Sequence, residues 1–182
     1  MRWFIASDLH GSAQYGRLVL DAYGLEKADR MILLGDILNP GPRNGIPEGY
    51  VPMALAEMLN ERKEDILAVR GNCDSEIDQM LLSFPMMADY AMLALENRMV
   101  FITHGHIFNR EKLPPLHEGD ILLHGHTHRS ACEQCGPYFY LNPGSPTFPF
   151  DGHRGYMILD HEKVSMKTLD GNTVREIRFE NK

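Results

Sequence analysis

At 182 residues, 43% of them hydrophobic and 24% charged, the chain has the size and composition of one globular domain, residues 1–182, with a real core. Lys and Arg number 18 against 25 Asp and Glu, a net charge of −7. That balance argues against bulk binding of nucleic acid, although a local positive pocket is compatible with it. The opening MRWFIASDLHG has only a four-residue apolar run, too short for a signal peptide, and no stretch approaches the ~20 apolar residues of a membrane span. Three cysteines, an odd number, make no disulfide framework, so a reducing cytoplasm is expected.

In chain order, residues 2–7 (RWFIAS) predict a strand and 12–24 a helix opened by Ser12. Residues 30–34 and 66–70 predict further strands. Between them Val51, Ala54, Leu55, Met58 and Leu59 follow the spacing of an amphipathic helix. Near-continuous apolar strands joined by helices favour a sheet covered on both faces. The second half changes character. Residues 90–95, 99–103, 121–124, 129–134, 138–141, 155–160 and 163–168 predict strands with short connections, and Asp170-Gly171 a turn before a last strand at 173–179. The expectation is an α/β (α+β) fold of two packed sheets with helices outside, the C-terminal sheet largely antiparallel.

Nine histidines are the anomaly of composition, and His104, His106, His124, His126 and His128 fall close together. Any one of them alone reads as a satisfied core or surface residue. The pattern lies elsewhere: Asp8 and His10 follow the first strand, Asp36 the second, Asn72 the third, His104 the strand at 99–103, and His126 and His128 the strand at 121–124. Glycine flanks most of them, which permits sharp turns at strand ends, where sites of α/β sheets form. Carboxylate, amide and imidazole without thiolate suit Mn, Fe, Zn or Ni. Seven donors are too many for one such ion and about right for two sharing a carboxylate.

Asp8-Leu9-His10, Gly35-Asp36, Gly71-Asn72, His104 and Gly125-His126-Thr127-His128, in this order, resemble the five signatures of the calcineurin-like metallophosphoesterase superfamily. LLGDILNPGPRN, VRGNCDSE, THGHIF, GHTH and LNPGSPTFP extend the resemblance, nearly end to end, to its small bacterial phosphodiesterases. The resemblance implies a four-layer αββα sandwich and two divalent ions, Mn²⁺ first among Mn, Fe, Zn, Ni and Co. By it, Asp8, His10, Asp36 and His128 hold one ion, and Asp36, Asn72, His104 and His126 the other. Asp36 bridges, using both carboxylate oxygens. The implied reaction is attack of a metal-bridging hydroxide on a small phosphodiester. With two divalent ions and two carboxylates the site stays positive, a mild preference for a singly charged diester. The alternatives are a phosphomonoesterase and a noncatalytic scaffold of the same fold. Fold-level analogy adds a homodimer or tetramer.

Cys73 stands where much of the superfamily has a histidine that contacts phosphate and protonates the leaving group. A thiol is a poorer donor, so substrates with good leaving groups are expected, or another acid. His106 is the leading substitute, with orientation of His104 as the competing role. Asp74 is expected to cap the following helix or hold a ligand histidine. In the Gly- and Pro-rich loop at 37–50, Asn39, Arg43 and Asn44 are candidate substrate contacts, with loop scaffolding as the competing reading. Cys132 and Cys135 form a single CxxC with no partner pair and are expected to be structural. LNPGSP at 141–146 is expected to be turn chemistry.

Overall fold

The computed structural model describes residues 1–179, so the last residues of the span expected to form one domain lie outside the described part. The first half alternates as β1 (Trp3–Ala6), α1 (Ala13–Glu26), β2 (Arg30–Leu33), α2 (Pro52–Asn60), β3 (Ile66–Ala68) and α3 (Glu76–Leu81). Strands alone follow: β4 (Tyr90–Leu95), β5 (Arg98–Thr103), β6 (Ile121–Leu123), β7 (Ser130–Cys135), β8 (Tyr138–Pro143), β9 (Gly155–Leu159), β10 (Lys163–Thr168) and β11 (Thr173–Arg178). Ser12 caps α1 by accepting the Tyr15 N–H at 3.3 Å. Pro52 opens α2, where its missing N–H costs no helical bond. A capping box between Ser75 and Asp78 opens α3.

The strands form two mixed sheets, ordered β11-β10-β9-β1-β2-β3 and β4-β5-β6-β8-β7. The sequence left strand pairing open apart from a largely antiparallel C-terminal sheet, and the structure supplies it. The second-half strands do not all join one sheet: β9 pairs antiparallel with β1, Trp3 opposite Leu159, and carries β10 and β11 with it. The second sheet is also only partly antiparallel, because β5, β6 and β8 run parallel. Strand GYMIL of β9 is buried on both faces, as a central position requires, but nothing local in a strand names its pairing partner.

Alternation along each strand divides the core. Phe4, Ala6, Met31, Leu33, Tyr156 and Ile158 face α1, α2 and α3. Their neighbours Trp3, Ile5, Ile32, Met157 and Leu159 meet Val100, Ile102, Ile121, Leu123, Phe139 and Leu141 between the sheets. On the far side of the second sheet, Phe101, Leu122 and Tyr140 are covered by Phe108 and Leu116. That outer layer is irregular backbone, since Gly105, Pro114-Pro115 and Gly119 interrupt any helix there. No helix among the described residues is long and apolar enough to cross a membrane. The parallel trio β1, β2, β3 and the parallel pair β5, β6 bring their carboxyl ends to one edge of the sandwich, where the candidate ligands emerge.

Candidate metal centre

Each candidate ligand follows a strand that ends abruptly. Asp8 (φ 57°), His10 (49°), Asp36 (52°), His126 (66°) and His128 (54°) all adopt the left-handed conformation that non-glycine residues rarely enter. Such strain costs about 1–2 kcal/mol per residue and persists only where the surroundings enforce it. Its concentration at five of the seven candidates marks them as a built site. Neighbouring glycines make room: a Cβ on Gly71 would collide with the Asp36 carboxylate, and one on Gly125 with Ser7 and Asp8.

The side chains converge in two groups that share Asp36. In the first, His10 Nε2 and His128 Nε2 lie 3.0 Å apart, each facing Asp8 Oδ1, at 3.7 and 3.3 Å. Asp36 Oδ2 is 3.9 Å from His10 Nε2. In the second, His104 Nε2 lies 3.5 Å from Asp36 Oδ2, 3.1 Å from Asn72 Oδ1 and 3.2 Å from His126 Nδ1. Backbone carbonyls orient two of the rings. His10 Nδ1 donates to the Asn39 carbonyl at 2.9 Å and His104 Nδ1 to the Leu34 carbonyl at 2.7 Å, leaving both Nε2 lone pairs for the centre.

Whether a cation belongs here is decided by the oxygens. Asp8 Oδ2 is saturated by the Ser7 hydroxyl at 2.5 Å and the His126 N–H at 2.9 Å, whereas Asp8 Oδ1 is buried with no hydrogen-bond partner. A buried carboxylate oxygen aimed at two imidazole nitrogens, without a donor of its own, fits a metal ligand. Electrostatics agree. Burial opposes charge on every group. Hydrogen bonding to Asp36, with Asp8 and Asp36 nearby, nonetheless pushes His104 up to about 9, and Asp8 raises His128. Against their own burial, Asp8 is held below its ordinary range by His128 and His104, and Asp36 by His104, the Cys73 N–H and His10. The pocket calls for positive charge, and the donor set fits divalent ions. Asp36 differs from the expected bridge in one respect. Its Oδ1 accepts the Cys73 N–H at 2.8 Å, so only Oδ2 faces both groups.

Cys73 therefore contributes first through its backbone. Its thiol is half-buried and lies within 4.8 Å of the ligand atoms of His10 and Asp36. Burial, then the Asp36 carboxylate, pushes the thiol up, which keeps it protonated and a poor nucleophile. Asp74 neither caps α3, a task taken by Ser75 and Asp78, nor touches a ligand histidine. Its carboxylate accepts the N–H groups of Asp36 (2.8 Å), Ile37 (2.9 Å) and Gly71 (2.7 Å), tying the ends of β2 and β3 together. Burial pushes it up to about 6. His106 stands beside the cluster, its ring centroid 5.4 Å from that of His104, its Nδ1 buried without a partner. The Leu34 carbonyl already orients His104, and burial lowers the His106 pKa.

A cavity of about 340 Å³ opens beside the centre, lined by Asp36, Asn72, Cys73, His126, His128 and the loop at 40–44. Arg43 and Asn44 are on its wall, Asn44 bonding the Pro40 carbonyl at 2.8 Å. Asn39 is not on that wall: its Oδ1 holds the Gly41 N–H at 2.8 Å and its carbonyl holds His10.

Four positioning residues escaped sequence reasoning. Ser145 Oγ donates to the Asp8 carbonyl and Thr147 Oγ1 to the Leu9 carbonyl, both at 2.8 Å. Asn142 Nδ2 holds the Gly125 carbonyl at 2.8 Å and the Thr127 hydroxyl at 3.0 Å. Ser7 Oγ donates to Asp8 Oδ2 at 2.5 Å, which leaves Oδ1 to face the centre. The available signal was the LNPGSPTFP run, whose turn chemistry in fact braces the Asp8 and His126 turns. Cys132 faces the core between the sheets while Cys135 packs on the opposite face, so the CxxC side chains point apart, both thiols free.

The sequence pattern of the calcineurin-like phosphoesterase superfamily domain matches residues 1–164, and the chain belongs to that superfamily. Among individual proteins it is 45% identical to the phosphodiesterase YfcE of Escherichia coli (strain K12) over 175 residues, 96% of this chain and 95% of that one. The solved structure of the E. coli phosphoesterase Yfce superposes at a TM-score of 0.96 with 43% identity, covering 99% of this chain and 100% of its own. The phosphodiesterase MJ0936 of Methanocaldococcus jannaschii is 24% identical over 177 residues, 93% of this chain and 98% of that one.

Proposed function

We propose that this chain is a metal-dependent phosphodiesterase that hydrolyses small phosphodiesters in the cavity beside the imidazole–carboxylate cluster. The observation that carries the reading is the buried, unpartnered Asp8 Oδ1 facing His10 and His128, with a second imidazole–amide group assembled across Asp36. Asp8, His10, Asp36 and His128 would hold one divalent ion, and Asp36, Asn72, His104 and His126 another, Mn²⁺ being the first candidate. When bound, the ions lower the pKa of water, toward ~7 in the best case, and neutralise charge on the phosphate.

The chain's own groups do the rest. Asn39 and Leu34 carbonyls fix the tautomers of His10 and His104. Asn72 offers a neutral oxygen, which keeps the site receptive to an anion. Arg43, on the cavity wall, is placed for a phosphate oxygen or the leaving group. The wall offers no strong acid: its thiol is a weak donor, and His106 lies off the wall. Esters with good leaving groups are therefore favoured, and a diester's single charge suits the site better than a dianionic monoester. Three free thiols support a reducing, cytoplasmic setting.

The test is hydrolysis of bis(p-nitrophenyl) phosphate and p-nitrophenyl phosphate by metal-stripped protein, with and without added Mn²⁺. Metal-dependent turnover favouring the diester is expected. Turnover of the monoester alone would assign a phosphomonoesterase, and no metal-dependent turnover of either would assign a scaffold.

A further inference from the structure

A larger cavity, of about 500 Å³, lies on the other side of the His126–Thr127 segment. Those two residues line both cavities, so the second one abuts the metal centre. Its charges run against the chain's overall −7. Three guanidiniums, Arg110, Arg129 and Arg175, meet two carboxylates, Glu111 and Glu133. Arg110 is committed, paired with Glu133 at 2.8 Å and laid over the Tyr140 ring at 4.8 Å. Arg129 rests on the Phe150 ring at 3.7 Å, and Arg175 projects from β11. Neither of these two has a carboxylate partner among the described residues. His124, also lining the cavity, adds no charge: burial lowers its pKa and its Nδ1 donates to the Gly125 carbonyl at 2.9 Å.

A phosphodiester has two arms, and a centre flanked by two cavities can seat one in each. The first cavity presents Arg43 and loop backbone. The second presents the Tyr140 ring and two guanidiniums without a carboxylate partner among the described residues, Arg129 just before β7 and Arg175 on β11, and guanidiniums suit a phosphoryl group as bidentate acceptor. We propose that this second cavity is a subsite of the same active centre for a substrate arm that carries its own phosphoryl group, held between Arg129 and Arg175. The subsite deepens the phosphodiesterase reading above and rests on it for the position of the scissile bond.

The experiment compares binding of thymidine 3′,5′-bisphosphate and thymidine 5′-phosphate by calorimetry. It uses the full chain, the Arg175→Gln variant, the Arg129→Gln/Arg175→Gln double variant and Arg17→Gln, which removes a charge on α1. Wild type and Arg17→Gln should bind the bisphosphate at least about tenfold more tightly, the scale of a charge-assisted bidentate contact. Arg175→Gln should lose part of that preference and the double variant all of it. Both guanidiniums are exposed, so folding is expected to survive, and far-UV circular dichroism with a melting curve verifies it. Absence of the preference, or its survival in the double variant, would overturn the subsite. Turnover of bis(p-nitrophenyl) phosphate, whose arms carry no further phosphate, is measured alongside. Turnover without the bisphosphate preference refutes the subsite and keeps the phosphodiesterase. The preference and its loss without any diester turnover refutes the phosphodiesterase and keeps the subsite.

Discussion

Replacing Asp74 by asparagine isolates the clamp that holds the two central ligand loops. Asp74 Oδ2 accepts the Asp36 and Gly71 N–H groups and Oδ1 accepts that of Ile37. An amide keeps one oxygen and turns an NH₂ toward the remaining donors. With the oxygen in the doubly bonded position, the Ile37 N–H is orphaned against another donor. A buried unsatisfied N–H costs about 1–3 kcal/mol. For a chain of this length that lowers the melting temperature by roughly 2–12 °C at about 2–4 °C per kcal/mol. Asp74→Ala strips all three partners, and about 3–5 kcal/mol is expected even if water reaches some of them. Because the clamp fixes the backbone of Asp36 and Gly71, metal affinity should fall about 10- to 100-fold, as for other groups that orient ligands. Urea unfolding of the stripped proteins measures the first effect and metal titration the second. Asp74→Asn with wild-type unfolding midpoint and wild-type metal affinity would refute the clamp.

Cys73→Ser should keep both metals and most of its diester turnover, within a few-fold of wild type, because the Cys73 N–H that supports Asp36 is untouched. Loss of turnover with metals still bound would mean that the thiol takes part in the chemistry. Away from the centre, Glu26 accepts hydrogen bonds from Arg2 and Lys167 and from the Tyr156 hydroxyl. Burial opposes its charge, but these partners hold its pKa below the ordinary value. A depressed carboxylate stabilises the fold above its unfolded pKa, ~4.3, and loses that contribution as pH falls through the folded one. Glu26→Gln should therefore cost about 1–3 kcal/mol at pH ~7, and its gap from wild type should close in acid below ~4. A gap that persists unchanged in acid would contradict the linkage.

The candidate ligands were legible as a set because they leave strands sharply, and the chain marks such exits with glycine beside Asp, Asn or His. The two groupings around Asp36 could be written from the resemblance alone, and the geometry brings together the members of each. Strand positions were equally clear, since alternation and turn residues are local. Pairing was not: the return of β9 to β1 depends on which sheet edge is open after β8, a property no local residue carries. The bracing residues were hidden for another reason. Ser145, Thr147 and Asn142 act on backbone carbonyls of distant turns, so neither spacing nor residue type pointed to Asp8 or Gly125. Asp74 misled because an acid before a helix reads as a cap, whereas here Ser75 does that work and the acid reaches back to β2.

The most direct measurement pairs elemental analysis with turnover of bis(p-nitrophenyl) phosphate for wild type and Asp36→Asn. Wild type should hold two equivalents of divalent metal, lose turnover on chelation and regain it with Mn²⁺. Asp36→Asn, with the shared carboxylate gone, should hold less metal and turn over at a small fraction of the wild-type rate. Equal metal content and equal turnover in the two proteins would contradict a centre built around Asp36.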